Sequence, residues 1–251
     1  MESLQNHVAL VTGAAKRIGK ALALALAQAG ADVAITYRSS AAEAATTVAQ
    51  LRDFGVQARA YDCDLRYPES VRQTVAAVAK DFGKLNLLVN NAGLFETAAL
   101  ESITVAQWDA MFETNTRGPF LTSQAAYPHL KATHGRIVNI GSLGGIHPWP
   151  THGHYCTSKA ALHMLTQTMS KAFAPEISVN CVAPGMIVTN GNTSTTGSGL
   201  ETPAEYEHFA RKTPMRRNGT PQDVAEAVLF FATGPHFITG QILGVDGGLG
   251  L

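Results

Sequence analysis

The stretch His7-Val8-Ala9-Leu10-Val11-Thr12-Gly13-Ala14-Ala15-Lys16-Arg17-Ile18-Gly19 decides the fold. Residues 7–12 form a short apolar, partly β-branched run, a glycine-containing turn follows, and residues 18–30 have the Ala/Leu-rich composition of a helix. The same alternation repeats outward from it. Residues 31–37 read as a strand, 41–54 as a helix, 56–62 as a strand, and 69–82 as a helix opened by Pro68 near its first turn. Residues 86–90 and 135–140 are further strands, with a long helical region over about 105–130 between them. A helix over 154–173, a strand over 177–182, a helix over 222–232 and a last strand near 241–245 complete the pattern. Strands separated by helices of this length imply right-handed crossovers, and hence an α/β fold in three layers, a parallel sheet covered by helices on both faces.

With 251 residues, 45% hydrophobic and 15% charged, the chain has apolar material for one sizeable core, so 1–251 reads as a single domain without repeats or linkers. Disorder and coiled coil are excluded. Lys+Arg and Asp+Glu both number 19 and no run of like charge occurs, so neither a nucleic acid nor an anionic membrane is expected as a partner. Residues 1–7 carry an acidic residue and no basic one, which is unlike a secretory or transit segment, and the longest apolar stretch, 21–27, is too short to span a bilayer. Cys63, Cys156 and Cys181 are widely spaced and odd in number, the usage of free thiols in a reducing compartment. The expectation is a soluble cytoplasmic protein. Its low-complexity piece, 189–199, runs into a polar segment, and together they read as a mobile substrate lid at about 189–213.

The turn from Gly13 through Lys16, Arg17 and Ile18 to Gly19 joins the first strand to the first helix, where small residues let backbone N–H groups and the helix's positive end approach a pyrophosphate. The end of the second strand then reports the kind of nucleotide. A site for NAD usually places a carboxylate there; this chain has Tyr37-Arg38-Ser39-Ser40. With Lys16 nearby, Arg38 and Ser39 form a donor cluster suited to the 2′-phosphate of NADP(H), although an arginine at a strand end is also what a solvated loop carries.

A second constellation is chemical. Tyr155 and Lys159 are spaced to share one face of a helix, and Ser142 stands at the C-terminal end of a strand, where ligands bind in open parallel sheets. A carbonyl that accepts hydride needs a proton at its oxygen. A free phenol with a pKa of about 10 exchanges that proton poorly at neutral pH, and a close ammonium on Lys159 would lower it. The Ser142 hydroxyl would hold the substrate oxygen within reach of Tyr155.

Taken in order, Thr12-Gly13 to Gly19, Asn90-Asn91-Ala92-Gly93, Asn115, Ser142, Tyr155-Cys156-Thr157-Ser158-Lys159, Pro184-Gly185 and Ile238-Thr239-Gly240 to Asp246-Gly247-Gly248 resemble the short-chain dehydrogenase/reductase family over about residues 8–248. The resemblance implies a Rossmann-type fold with a central seven-stranded parallel sheet, a nicotinamide cofactor and a homotetramer. It makes Asn115, Ser142, Tyr155 and Lys159 a catalytic tetrad, the asparagine supporting a water relay from the lysine. By the same resemblance Asp64, in Cys63-Asp64-Leu65, meets the adenine ring. Asn91 and Ala92, ahead of Gly93, line the adenosine ribose, Lys159 also bonds the nicotinamide ribose, and Pro184, Gly185, Ile187 and Thr189 pack on the nicotinamide and its phosphates.

Arg17 stands where most members have a glycine, and with Tyr37-Arg38-Ser39 it is similar to the pteridine reductase branch, in which it contacts phosphate and pterin and Phe95 is the ring that stacks on the pterin. Ser142 departs from that branch, whose parasite members carry an aspartate there. His147, His152 and His154 flank Trp149; with no Cys or carboxylate among them they read as pocket wall, His147 and Trp149 above all, and no metal is expected. Met164 and Met169 read as core. The sequence thus points to an NADPH-dependent reductase of a small-molecule carbonyl, a 3-oxoacyl thioester or similar ketone. A dihydropterin reductase is the alternative, and an NADP-binding sensor the non-enzymatic one, against which the intact tetrad argues.

Overall fold

A computed structural model describes residues 3–189 and 202–251. Strand β1 (Val8–Val11) is buried along its length, and helix α1 (Arg17–Gln28) returns over it. Then follow β2 (Asp32–Tyr37), α2 (Ala41–Arg52), β3 (Ala58–Asp62), α3 (Pro68–Phe82) and β4 (Leu87–Asn90). The second half runs α4 (Val105–Phe112), α5 (Gly118–Ala132), β5 (Arg136–Ile140), α6 (Gly153–Ala172), β6 (Ser178–Pro184), α7 (Pro203–Lys212), α8 (Pro221–Thr233) and β7 (Ile242–Val245). The strands form one seven-stranded sheet in the order β3-β2-β1-β4-β5-β6-β7, and every pairing is parallel. Two apolar clusters, one on each face, bury the sheet. One packs α1 and α8 through Leu22, Leu26, Val224 and Phe231; the other packs α3 and α5 through Val71, Val75, Val78 and Leu130.

Two expectations change. The region 105–130 is three pieces: α4, a π-helical turn at Glu113–Arg117, and α5. Pro119 has no N–H to give to the carbonyl of Asn115, which loosens the helical ladder at that turn. Of the stretch 189–213, residues 190–201 lie outside the described residues, and 203–212 is the regular helix α7, started by a reciprocal cap between Thr202 and Glu205. A smaller correction concerns the methionines: Met169 is buried, but Met164 is 63% exposed, on the outer face of α6.

A buried polar chain crosses the middle of the sheet. Asn90 donates to Asn139 Oδ1 at 2.9 Å and to Ser123 Oγ at 3.1 Å, Thr122 donates to Asn90 Oδ1 at 2.5 Å, and Asn139 donates to Thr166 at 2.8 Å. It ties β4 and β5 to α5 and to α6, the helix that carries Tyr155 and Lys159.

Candidate active site

The strands end together on one edge, where a cleft of about 520 Å³ opens. Its first wall is the β1–α1 turn. Gly13 takes φ +62°, the left-handed region open to glycine, and a Cβ there would lie 2.9 Å from Ala92 Cα. The turn is braced from both sides. Gly13 N–H donates to Thr36 Oγ1 at 3.1 Å, while Asn91 Nδ2 donates to the Thr12 carbonyl at 2.8 Å and the Gly13 carbonyl at 3.1 Å. Asn91 and Ala92 N–H both donate to Thr12 Oγ1 at 3.0 Å. The Asn91 amide is therefore committed to holding β4's end against the first turn. Arg17, in the glycine position of the resemblance, keeps the glycine's backbone, at φ +55°. A left-handed arginine costs roughly 1–2 kcal/mol, the kind of strain that collects at functional sites.

Lys16, Arg17, Ile18, Gly19, Arg38 and Ser39 all line the cleft on this side, and Asp64 and Leu65 follow after β3. Arg66 also lines it. Its guanidinium grips the Asp64 carboxylate, Nε to Oδ1 at 2.9 Å and Nη2 to Oδ2 at 2.5 Å, and holds that carboxyl below the usual carboxylate range, with a smaller pull from Arg38. Sequence reasoning missed Arg66; an arginine two residues after the expected adenine contact was the available signal.

The far wall comes from β5, α6 and β6. Ser142, Trp149, Tyr155, Lys159, Pro184, Gly185, Ile187 and Thr189 line it, with Gly93 and Phe95 from the β4 loop. Tyr155 is half-buried in the wall, and desolvation pushes its phenol up to about 12, opposed by a hydrogen bond with the Ser142 side chain. Lys159 is buried, and desolvation brings its ammonium down to about 8. Its Nζ donates to the Ile140 carbonyl at 2.8 Å and stands 5.9 Å from the Tyr155 ring centroid. The expected lowering of the phenol by Lys159 is thus not what dominates: burial raises it, and the largest opposing influence is Ser142.

Asn115 sits in the π-helical turn, fully buried, and does not line the cleft. Its Oδ1 accepts from Leu94 N–H at 2.7 Å, and its Nδ2 donates to the Leu94 carbonyl at 2.9 Å and to Ser158 Oγ at 3.0 Å. The side chain clamps the β4 loop to the helix of Tyr155.

Rings gather at the mouth. Phe95 meets Tyr155 edge-on with centroids 4.7 Å apart, and Trp149 lies nearly parallel to Tyr155 at 6.1 Å. His147, expected in this wall, is not among the lining residues; a Cβ on Gly250, near the end of the chain, would lie 3.1 Å from its Nε2. His152 packs on Phe95 at 4.8 Å and shares its nitrogens with Thr97 and Thr151. His154 is buried beside Glu96, 3.8 Å away. Among the described residues no group of three or more His, Cys, Asp and Glu side chains could hold a metal ion.

Known proteins carry the same pattern. The family described as enoyl-(acyl carrier protein) reductase, of the short-chain alcohol dehydrogenase type, matches residues 13–250. An uncharacterised oxidoreductase of Methylorubrum extorquens is 37% identical over 251 residues, covering 99% of this chain and 100% of the relative. A 3-oxoacyl-(acyl-carrier-protein) reductase of Synechocystis is 35% identical over 253 residues and 99% of each chain. A short chain dehydrogenase from Burkholderia cenocepacia, solved in complex with NADP, superposes with a TM-score of 0.90 at 38% identity over 100% of both chains. The parallel seven-stranded sheet, the braced first turn and the full-length likeness agree: the chain belongs to the short-chain dehydrogenase/reductase family and is an oxidoreductase with a nicotinamide-cofactor fold.

Proposed function

We propose that the protein reduces a small-molecule ketone to an alcohol with NADPH, a 3-oxoacyl thioester or a similar ketone being the substrate class. The observation that carries this is the convergence of Ser142, Tyr155 and Lys159 on one wall of a cleft whose other end holds Lys16, Arg17, Arg38 and Ser39. The strands bearing the two ends, β2 and β5, are separated by β1 and β4. Three inter-strand steps make roughly 14 Å, the scale of an extended dinucleotide. The donor set fits its phosphates: three cations and a hydroxyl, with the Asp64 carboxylate neutralised by Arg66 and the exposed Glu43 carboxylate 3.6 Å from Lys16. The relative solved with NADP supports the same cofactor.

When bound, the reduced nicotinamide supplies the hydride. Tyr155 gives its proton to the substrate oxygen as the carbonyl carbon gains hydrogen, so the C=O bond becomes CH–OH. With its phenol pushed up to about 12, Tyr155 holds that proton throughout neutral pH and is a donor rather than a base there. Ser142 orients the oxygen. Lys159 would hold the nicotinamide ribose of the bound cofactor and, with the Asn115 turn behind it, would return a proton to the phenolate.

A dihydropterin is the second substrate reading, favoured by the Phe95 and Trp149 rings beside Tyr155, which suit a flat heterocycle. A lid over 189–213 would set the choice between them. We expect a homotetramer, supported by the exposed apolar side chains Val105, Trp108, Phe120 and Met164 on neighbouring helices, and a cytoplasmic protein, supported by three buried free thiols.

The test is NADPH oxidation with acetoacetyl thioester and with 7,8-dihydrobiopterin, run against Tyr155→Phe. The variant should bind NADPH as the wild type does and lose roughly 10²- to 10⁴-fold in turnover. Retained turnover would overturn the assignment of Tyr155 as proton donor.

A further inference from the structure

We infer that His163 is a positioning residue for the catalytic serine: a neutral imidazole around which the Ser142 loop is folded. The inference rests on the role given to Ser142 above. His163 follows Lys159 by one turn of α6, on the same face, and is 8% exposed. Its Nε2 accepts the Ser142 backbone N–H at 3.4 Å, and the ring makes a second backbone hydrogen bond with Gly145. A peptide N–H can only donate. Nε2 is therefore the lone-pair nitrogen, and the ring proton sits on Nδ1, where it can be given to a carbonyl.

The loop is shaped to the ring on both sides of the serine. A Cβ on Gly141 would run into His163 Nε2, and one on Gly145 would lie 2.6 Å from Cε1 and 2.9 Å from Nδ1. At both positions the imidazole takes up space a side chain would need, together with Cys181 Sγ at Gly141 and the Lys159 backbone at Gly145. Within the loop, Ser142 Oγ accepts Gly144 N–H at 3.0 Å and the Ser142 carbonyl accepts Gly145 N–H at 2.9 Å. The hydroxyl's direction thus depends on Gly144, whose place depends on the turn closed over His163. Protonation would set an N–H of the ring against the Ser142 N–H beside the Lys159 ammonium. Burial, with Lys159, keeps the ring neutral down to about 4.

Three substitutions separate positioning from bulk packing. Glutamine reaches the place of Nε2 and can still accept Ser142 N–H. Asparagine reaches only the place of Nδ1, and leucine restores neither bond. In the NADPH-bound enzyme, with acetoacetyl thioester as probe, His163→Leu and His163→Asn should lose roughly 10- to 100-fold in kcat, with NADPH affinity unchanged. His163→Gln should recover most of it, staying within about threefold of wild type. In a Ser142→Ala background the leucine substitution should cost nothing further, because both act through one hydroxyl. A second readout needs no substrate: ¹⁵N-histidine NMR should find the His163 proton on Nδ1 and no titration between pH 8 and 5. Wild-type kcat in His163→Leu, equal losses in Gln and Asn, or a proton on Nε2 would each overturn the inference. Full turnover in Ser142→Ala alone would instead remove the role of Ser142, and the kinetic arm tells the two failures apart.

Discussion

Arg38, one residue past β2, is where cofactor choice is concentrated. It lines the cleft close enough to Asp64 to pull its carboxyl down. Charge-assisted hydrogen bonds of this kind contribute about 1.5–3 kcal/mol each, so Arg38→Asp should weaken NADPH by roughly 10- to 100-fold and NADH far less, as read by titrating each nucleotide against protein fluorescence. Equal losses for the two would remove the 2′-phosphate assignment. Single residues were legible in the sequence where spacing and chemistry agreed, as for Ser142, Tyr155 and Lys159 at one strand end and the following helix. Their electrostatics were not. Whether an ammonium or burial governs a phenol depends on where Nζ points, and here it points to the Ile140 carbonyl. His147 misled for a related reason: nearness in sequence to Tyr155 says nothing about which side of the 3₁₀ turn at Leu143–Gly145 the chain leaves by.

At the scale of elements, the π-helical turn has the most to say. Asn115 satisfies both backbone groups of Leu94 and reaches Ser158, so it joins α4, α6 and the β4 loop at one buried point. Asn115→Leu strands those partners in a dry site, at a cost of about 1–3 kcal/mol for each group left unpaired. We expect a lowered urea midpoint together with reduced turnover, whereas substitution of a cleft-lining residue such as Arg38 should lower NADPH affinity with the midpoint unmoved. Hydrophobic period alone reads 105–130 as continuous helix, because a π turn changes the period for one turn only; Pro119 was the local warning. The helix α7 was missed for the opposite reason. Its composition is polar, yet Thr202-Pro203-Ala204-Glu205 carries a proline at the first helical position and a threonine three residues before a glutamate, a start signal that composition hides.

For the molecule as a whole, buried titratable groups set a pH window. His163 has a folded value of about 4 against an ordinary 6.5, so below pH 6.5 the unfolded chain takes up a proton that the folded chain refuses. Stability contributed by the neutral ring is complete above pH 6.5 and is lost as pH falls from there through 4, by up to about 3 kcal/mol. The lowered carboxyls of Asp64 and Glu176 add to the loss only nearer their ordinary range, so melting measured between pH 7 and 5 reads the lowered histidines, His163 and His152. His163→Gln should reduce the slope of melting temperature across that interval, leaving the share of His152, and an unchanged slope would overturn the assignment to His163. The strand count and the parallel sense of the sheet could be read from alternating runs. Strand order could not, since each crossover looks alike in sequence; β4 pairs with β1 in register, and the bonds from Asn91 and Ala92 to Thr12 lock the end of that pairing.

The polar chain through Asn90, Asn139, Ser123, Thr122 and Thr166 has a consequence for the order in which the protein comes apart. Releasing either central strand exposes several interlocked amides and hydroxyls at once, so opening there cannot proceed one bond at a time. The amides of Leu87–Asn90 and Arg136–Ile140 should be the last in the chain to take up deuterium, and only with global unfolding, while those of α7 and the edge strand β7 exchange through local fraying. The strands that deliver Asn91 and Ser142 to the cleft would then belong to the slowest-opening unit of the fold.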